Sequence, residues 1–355
     1  MTTARNLTVR PDEDTFYHCI SRCVRRAYLC GVDATSGQDF SHRRQWVVDR
    51  LEAAADSFAI AVYGYAVMEN HFHVVLQTKV SRAREWTDRD VVDRWLRLYP
   101  HTRNDAGEAV GPSDEEVAGI LSNKEKVALW RSRLSDLGWV MKYVKEPIAR
   151  AANKEDGVTG VFWQGRFKSQ RLDDEGAVAA CLVYVDLNPV RARVAETPEQ
   201  SAFTSVAVRA QAEVAREVVA AAGRAEQPTE EQRAELNRAR QAIAGAAWLA
   251  PIGSVALDHE HGTWGVSLEE YLALVDVTGR RIRSDKRGAV DPEIAPILER
   301  LELDAANWVA SVERFGGTWH LVAAKLSLLA KAAVRVGRKW FCGQRPAVLM
   351  YSSDG

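Results

Sequence analysis

Two histidines at 71 and 73, a tyrosine at 184 and an asparagine at 188 are the side chains of this sequence best suited to chemistry. In a strand, alternate side chains share a face, so His71 and His73 are expected to point one way while Phe72 and Val74 point into a core. Two imidazoles on one face can hold a divalent cation, or can simply be polar groups on a sheet surface. Residues four apart share a helix face, which sets Tyr184 beside Asn188 in the last turn before Pro189. A tyrosine next to an oxygen donor and facing two imidazoles can attack a phosphate polarised by a metal. The purely structural alternative is a half-buried aromatic at 184 and a helix cap at 188.

A third feature is FWQGRFKSQR, residues 162–171, in which Trp163, Arg166, Lys168 and Arg171 interleave aromatic and basic character. Phosphates attract Arg and Lys, and unstacked bases attract flat aromatic faces. Gly165 allows a close backbone approach to a ligand, and Arg191 and Arg193 prolong the same basic surface. The alternative is an amphipathic edge strand with solvated charges. Tyr143 is the rival nucleophile. His259 and His261 repeat the spacing of the first pair, but Glu260 lies between them, which fits an exposed loop. Glu69, in the turn before the histidines, reads as a solvated residue rather than a further ligand.

These side chains need a scaffold. Thr15 to Val24 reads as a strand, Phe40 to Ser57 as an amphipathic helix, and Phe58 to Val67 as a second strand. A turn at Met68-Glu69-Asn70 leads to a third strand, His71 to Thr78. Residues 79–130 are dense in charge and carry a loop signal, HTRNDAGEAVGPSD, so they read as an insertion. A helix from Leu134 to Ala152, a strand over 162–172 and a helix from Asp174 to Asn188 follow, the last ended by Pro189. Helices are expected over 205–224 and 229–247, with a further helical region from Ser267 to Trp340. The expected organisation is an α+β catalytic domain, residues 1–200, and a mostly helical extension, residues 201–355, a candidate for DNA binding.

The chain has 355 residues, 46% hydrophobic and 27% charged, which fits a folded globular protein without staples. Lys and Arg number 47 against 48 Asp and Glu, a formal net charge of -1. This excludes a uniformly basic DNA coat but not a segregated basic surface. Acidic residues gather in the insertion and in the helices after 200. Positive charge gathers in FWQGRFKSQR, in VRARV, in Arg280, Arg281, Arg283, Lys286 and Arg287, and in Lys331, Arg335, Arg338 and Lys339. No run of 18 apolar residues occurs and the start lacks an apolar leader, so a cytoplasmic location without membrane contact is expected. Cys19, Cys23, Cys30, Cys181 and Cys342 form no Cys-x-x-Cys pair and read as reduced structural thiols.

In their order along the chain, TFYHCISR, GYAVMENHFHVVLQ, FWQGRFKSQ and LVYVDLNPVRARV resemble the single-tyrosine His-hydrophobic-His transposases, most closely the REP-associated tyrosine transposase branch. The resemblance covers roughly residues 12 to 198 outside the insertion. It implies a ferredoxin-like or RRM-like antiparallel sheet with helices. It also implies that His71, His73 and Asn188 hold Mg2+ or Mn2+ and that Tyr184 is the nucleophile. The implied partner is single-stranded or hairpin DNA, cleaved to a 5′-phosphotyrosine and a free 3′-OH and then rejoined. Glu69 stands where many relatives have Pro, and Asn188 where classical insertion-sequence relatives have Gln. Two other readings compete. One is a domesticated hairpin-binding regulatory protein that does not cut. The other, a zinc hydrolase on His71 and His73, lacks the His-Glu-x-x-His helix that would support it.

Overall fold

A computed structural model describes residues 7–24, 29–32, 37–222, 229–257, 263–284 and 292–351. The chain runs β1 (Thr15–Arg22), α1 (Arg43–Ser57), β2 (Ile60–Val67) and β3 (His71–Thr78). Then come α2 (Val80–Glu85), α3 (Asp88–Leu98), the hairpin β4 (Thr102–Arg103) and β5 (Ala109–Val110), α4 (Asp114–Ser122) and α5 (Lys124–Leu134). Next are α6 (Leu137–Glu155), β6 (Lys168–Leu172), α7 (Glu175–Asp186) and α8 (Asn188–Arg191). The remainder comprises α9 (Ser205–Ala222), α10 (Glu230–Ala246), α11 (Leu268–Ser284), α12 (Ala295–Arg300), α13 (Trp308–Thr318), β7 (Val322–Ala323), α14 (Leu326–Arg335) and α15 (Gln344–Met350). This is an α+β fold. No described helix is long and apolar enough to cross a membrane.

The main sheet has the order β2-β3-β1-β6-β7, antiparallel throughout except for the parallel β6 and β7 pair. Strand alternation divides its side chains between two cores. Tyr17, Cys19, Val62, Tyr65, Phe72, Val74 and Leu76 pack against α1 and α6. Phe16, Tyr63, Ala66, Val75 and Leu172 face the other way, toward α7. The register of β2 on β3 slips between Val62 and Gly64, so Tyr63 and Gly64 both look toward α7. A Cβ at Gly64 would sit 2.7 Å from Leu182 Cδ2 of α7. The missing side chain therefore lets the helix lie close on the sheet.

The insertion is no appendage. Val91, Val92, Trp95, Val117, Ile120, Val127 and Trp130 from α3, α4 and α5 bury into the same core as α1 and α6. The extension is likewise no separate core. Trp264, Tyr271, Leu298, Trp308, Phe315, Val322 and Tyr351 share one cluster with α7 and the sheet, and β7 pairs with β6. A boundary at 200 does not separate two bodies, because α7 is apolar on nearly every side and needs cover on both.

The expected strand over 162–172 is shorter than anticipated. Ladder pairing is confined to Lys168–Leu172, preceded by one isolated bridge between Cys23 and Trp163. Gly160 and Gly165 lie at φ +110 and +145, backbone conformations that take the segment out of the ladder. The helix ends two residues early, at Asp186 with Leu187 as its C-cap, and Asn188 opens α8 with Pro189 in its first turn.

Two buried carboxylates tie α7 to the extension. Asp174, the N-cap, accepts from Ala177 N at 2.7 Å, Lys325 N at 2.7 Å and Tyr351 Oη at 2.5 Å. Asp186, at the other end, accepts from Ser205 Oγ at 2.5 Å, Val206 N at 3.1 Å and Tyr271 Oη at 2.5 Å. Burial pushes both carboxyls up from their ordinary value, and these donors oppose the rise. Tyr271→Phe and Tyr351→Phe are each expected to lower stability by about 1.5–3 kcal/mol, the range for a hydrogen bond to a charged group. Urea unfolding measures this. Residues 1–200 alone are expected to show no cooperative transition, and a sharp one would contradict the shared core.

Candidate active site

The β3 pleat places His71 and His73 on the sheet face that carries α7. Across the ladder His73 sits opposite Ile20 and Val75 opposite His18, so His18 of β1 shares this face. The three imidazoles meet. His18 Nε2 lies 2.8 Å from His73 Nδ1, and the His71 and His73 ring centroids are 4.9 Å apart. A hydrogen bond joins His18 to the side chain of Gln170, its partner on β6. His71 Nδ1 lies 2.7 Å from Asn70 Oδ1, which leaves its Nε2 as the ring's remaining donor or ligand atom.

From above, the C-terminal turn of α7 brings Tyr184 onto this cluster. Its ring centroid lies 5.8 Å from that of His73 and 6.0 Å from that of His18, edge-on in both cases. Asn188 follows at the helix break, its Nδ2 3.3 Å from His73 Nε2. With that amide donating, His73 carries its proton on Nδ1 and gives it to His18 Nε2. The guanidinium of Arg191 stands 4.6 Å from the centre of the Tyr184 ring and donates to Glu313 O at 2.6 Å.

Helix α13 of the extension closes the far side of the tyrosine. Phe315 lies 5.8 Å from Tyr184 between ring centroids, and a Cβ at Gly316 would come within 2.2 Å of Tyr184 Oη. Only glycine leaves space for the hydroxyl there.

The histidines are neutral. Burial holds His18 at about 4, opposed by the Gln170 hydrogen bond and assisted by nearby His71. Burial also brings His71 to about 4, with a contribution from Arg22, and it holds His73 well below its ordinary value, with His18, His71 and Arg191 adding to the effect. Neutral imidazoles present lone pairs that protons do not occupy at neutral pH.

The sequence-based candidates divide into two groups. Tyr184, Asn188, His71 and His73 come together, and Arg191 joins them. Arg166 and Lys168 are exposed on the segment leading into β6, and Lys168 pairs with Ile20 on the histidine face. Arg193 is exposed just beyond α8, at φ +57. Trp163 and Arg171 are not part of a surface. Trp163 is buried, stacks edge-on with Phe72 and Phe162, and donates Nε1 to Lys145 O at 2.8 Å. The Arg171 side chain is 3% exposed and bonded to Asp173, because alternation along β6 turns it to the opposite face from Lys168 and Gln170. Tyr143 lies in the α1 and α6 core, where its hydroxyl accepts from Arg50 at 3.0 Å, on the wrong side of the sheet for the histidines. Glu69 is exposed.

Cys19, Cys23, Cys30 and Cys181 are buried and Cys342 is exposed, all without disulfides. His259, His261, Lys286 and Arg287 lie outside the described residues. Arg280 is paired with Asp276 at 2.9 Å, and Arg283 donates to Glu196 O. His18 and Gln170 escaped the sequence reading, although the alternation in TFYHCISR and FKSQR put them on this face.

No family model and no curated protein matches the chain. A solved structure described as that of a REP-associated tyrosine transposase bound to a REP hairpin is similar at 10% identity. The match covers 58% of this chain and 82% of that one, with a TM-score of 0.33.

Acid should loosen this site. Below its ordinary value of 6.5 the unfolded His18 takes up a proton that the folded side chain refuses until about 4. In metal-free protein, stability from this group is therefore present above 6.5 and lost as pH falls toward 4. The expected loss from His18 alone between pH 7 and pH 4.5 is roughly 2–3 kcal/mol. Urea unfolding at the two pH values measures it, and His18→Gln should flatten the dependence.

Proposed function

We propose that this chain is a metal-dependent single-stranded DNA transposase or endonuclease in which Tyr184 is the nucleophile. One observation carries the reading: Tyr184, His71, His73 and Asn188, from one strand and a helix end, converge on one sheet face. The order β2-β3-β1-β6, with α1 and α6 against one face, supports a ferredoxin-like or RRM-like core beneath them.

The donors fit a hard divalent ion such as Mg2+ or Mn2+ whose shell is completed by phosphate oxygens. His71 has Nε2 available, and Asn188 directs its amide at His73 Nε2, so a half-turn of the amide would offer an oxygen instead. His18 fixes the His73 ring through Nδ1, the role that outer partners of ligating histidines play. Among the described residues no three His, Cys, Asp or Glu side chains form a ready cage, so the protein alone supplies only part of a shell. A bound cation would polarise the scissile phosphate and offset its charge.

The residues account for the rest. The Tyr184 oxygen bonds to phosphorus as the phenolic proton leaves, and the bond to the 3′ oxygen breaks. That oxygen gains a proton, giving a 5′-phosphotyrosine and a free 3′-OH. A second 3′-OH attacking the phosphotyrosine restores the phenol and joins the strands without an external energy source. Arg191, over the tyrosine ring, is placed to hold the phosphate. Arg166, Lys168 and Arg193 are suited to the DNA backbone.

A second reading, a hairpin-binding protein that does not cut, is favoured by the packing of Phe315 and Gly316 over Tyr184. Hairpin-bearing single-stranded DNA with Mg2+ or Mn2+ separates the two. The first reading expects a covalent protein–DNA adduct, lost in Tyr184→Phe and reduced at least 100-fold in His73→Ala, in the range for metal-assisted charge stabilisation. Binding without an adduct across varied ends and metals would leave the second. Replacing Arg166 and Lys168 by Gln should lower the salt slope of single-strand binding by about 1.4, whereas paired charge changes within 79–130 should leave it unaltered.

A further inference from the structure

The segment from Lys325 to Tyr351 contains six Lys or Arg residues and no Asp or Glu. It folds as α14 and α15 around an exposed turn. On α14 the residues Leu329, Ala332 and Ala333 are buried, which turns Lys331, Val334 and Arg335 outward at helical spacing. Ala347 and Met350 anchor α15, leaving Arg345, Val348 and Leu349 outside. Between the helices, Trp340 is 60% exposed beside the exposed Arg338 and Lys339. The buried Phe341 ring holds the Arg338 guanidinium at 5.8 Å from its centre.

Ion pairs engage Lys325 with Glu302 and Arg335 with Glu13. Lys331, Arg338, Lys339 and Arg345 form no ion pair among the described residues. Four such cations cost the fold self-repulsion, and an indole left in water forgoes the burial that usually stabilises it. The combination of an unopposed basic surface and a projecting flat aromatic face is what a flexible polyanion with unpaired bases requires.

We infer that α14, α15 and the turn between them form a second contact for single-stranded DNA. Trp340 stacks on an unpaired base, and Lys331, Arg338, Lys339 and Arg345 hold flanking phosphates. This surface is separate from the tyrosine site. Arg335 is paired with Glu13, just before β1 begins, whereas His71 stands opposite Arg22 at the end of β1. Arg335 and His71 therefore lie toward opposite ends of β1, about 23 Å apart along a strand of this length. The choice of single-stranded DNA rests on the proposed function, but the surface binds without cleavage.

The full chain carrying Tyr184→Phe, which cannot form an adduct, is titrated with a thymidine 20-mer and with a 20-base-pair duplex over a range of salt. Trp340→Ala should weaken single-strand binding about tenfold or more while leaving duplex binding unchanged, and Trp340→Phe should keep most of the affinity. Changing Lys331, Arg338, Lys339 and Arg345 together to Gln should lower the single-strand salt slope by up to about 3. Thermal unfolding confirms that each variant folds. Unchanged affinity and slope in the Gln variant would overturn the inference, as would equal losses for both DNAs in Trp340→Ala. If these effects appear while wild type forms no adduct, the surface stands and the nuclease reading falls. If the adduct forms and the variants bind normally, the reverse holds.

Discussion

The burial of α7 is the constraint on which everything else depends. Its sequence, EGAVAACLVYVD, is apolar nearly all round, so the sheet can cover one side and something else must cover the other. The extension supplies that cover, and the two buried carboxylates at the ends of the helix fix where it lies. Asp174 and Asp186 each satisfy three donors drawn partly from residues beyond 200. Losing a partner would leave a buried carboxylate short of a donor, a penalty of about 1.5–3 kcal/mol for a hydrogen bond to a charged group. The position of Tyr184 is therefore set by contacts far along the chain, and not by the short β1 to β6 core alone.

The chemistry of the site follows from placing uncharged donors in a dry environment. Among the described residues no carboxylate is among the groups that meet at His73, and the buried acids Asp174 and Asp186 are occupied with α7. Burial keeps the three imidazoles neutral, and the chain from Asn188 through His73 to His18 and Gln170 decides which ring nitrogen carries the proton. Under the proposed function, such a set would hold a cation only in company with an anion. Arg191 adds the positive charge that the neutral donors lack, stationed over the ring of Tyr184.

Much of this was legible in the sequence where local periodicity decides the outcome. Strand β3 runs from His71 to Thr78 as alternation indicates, and Tyr184 and Asn188 fall on one side of a helix break before Pro189. His18 was equally readable, since it alternates with Phe16 and Ile20, but its importance depends on β1 lying next to β3, which is a long-range fact. FWQGRFKSQR misleads because interleaved aromatic and basic residues look the same whether the aromatics face solvent or core. Trp163 turned inward and Arg171 found Asp173, so that only Arg166 and Lys168 are left exposed. The extension is the least legible part. Helical spacing shows that α11, α13 and α14 each have a face to bury, but nothing local says that the face belongs to α7 and the sheet.

Access to the tyrosine is a question about α13 rather than about α7. Both ends of α7 are fixed, and Leu182 rests on Gly64 with no space for even a methyl group. On the opposite side the hydroxyl lies against Gly316, where the backbone of α13 is the wall. That helix is held by the buried Trp308, whose Nε1 donates to Thr278 Oγ1 at 2.8 Å, by Phe315 in the core, and by the single bond from Arg191 to Glu313 O. The first two contacts belong to a large apolar core that yields as a unit. The third is a lone side chain whose guanidinium also faces the tyrosine ring, so a phosphate drawn to Arg191 competes directly with the carbonyl of Glu313. Under the proposed function, the residue best placed to meet a phosphodiester is thus also the one that fastens α13 above Tyr184.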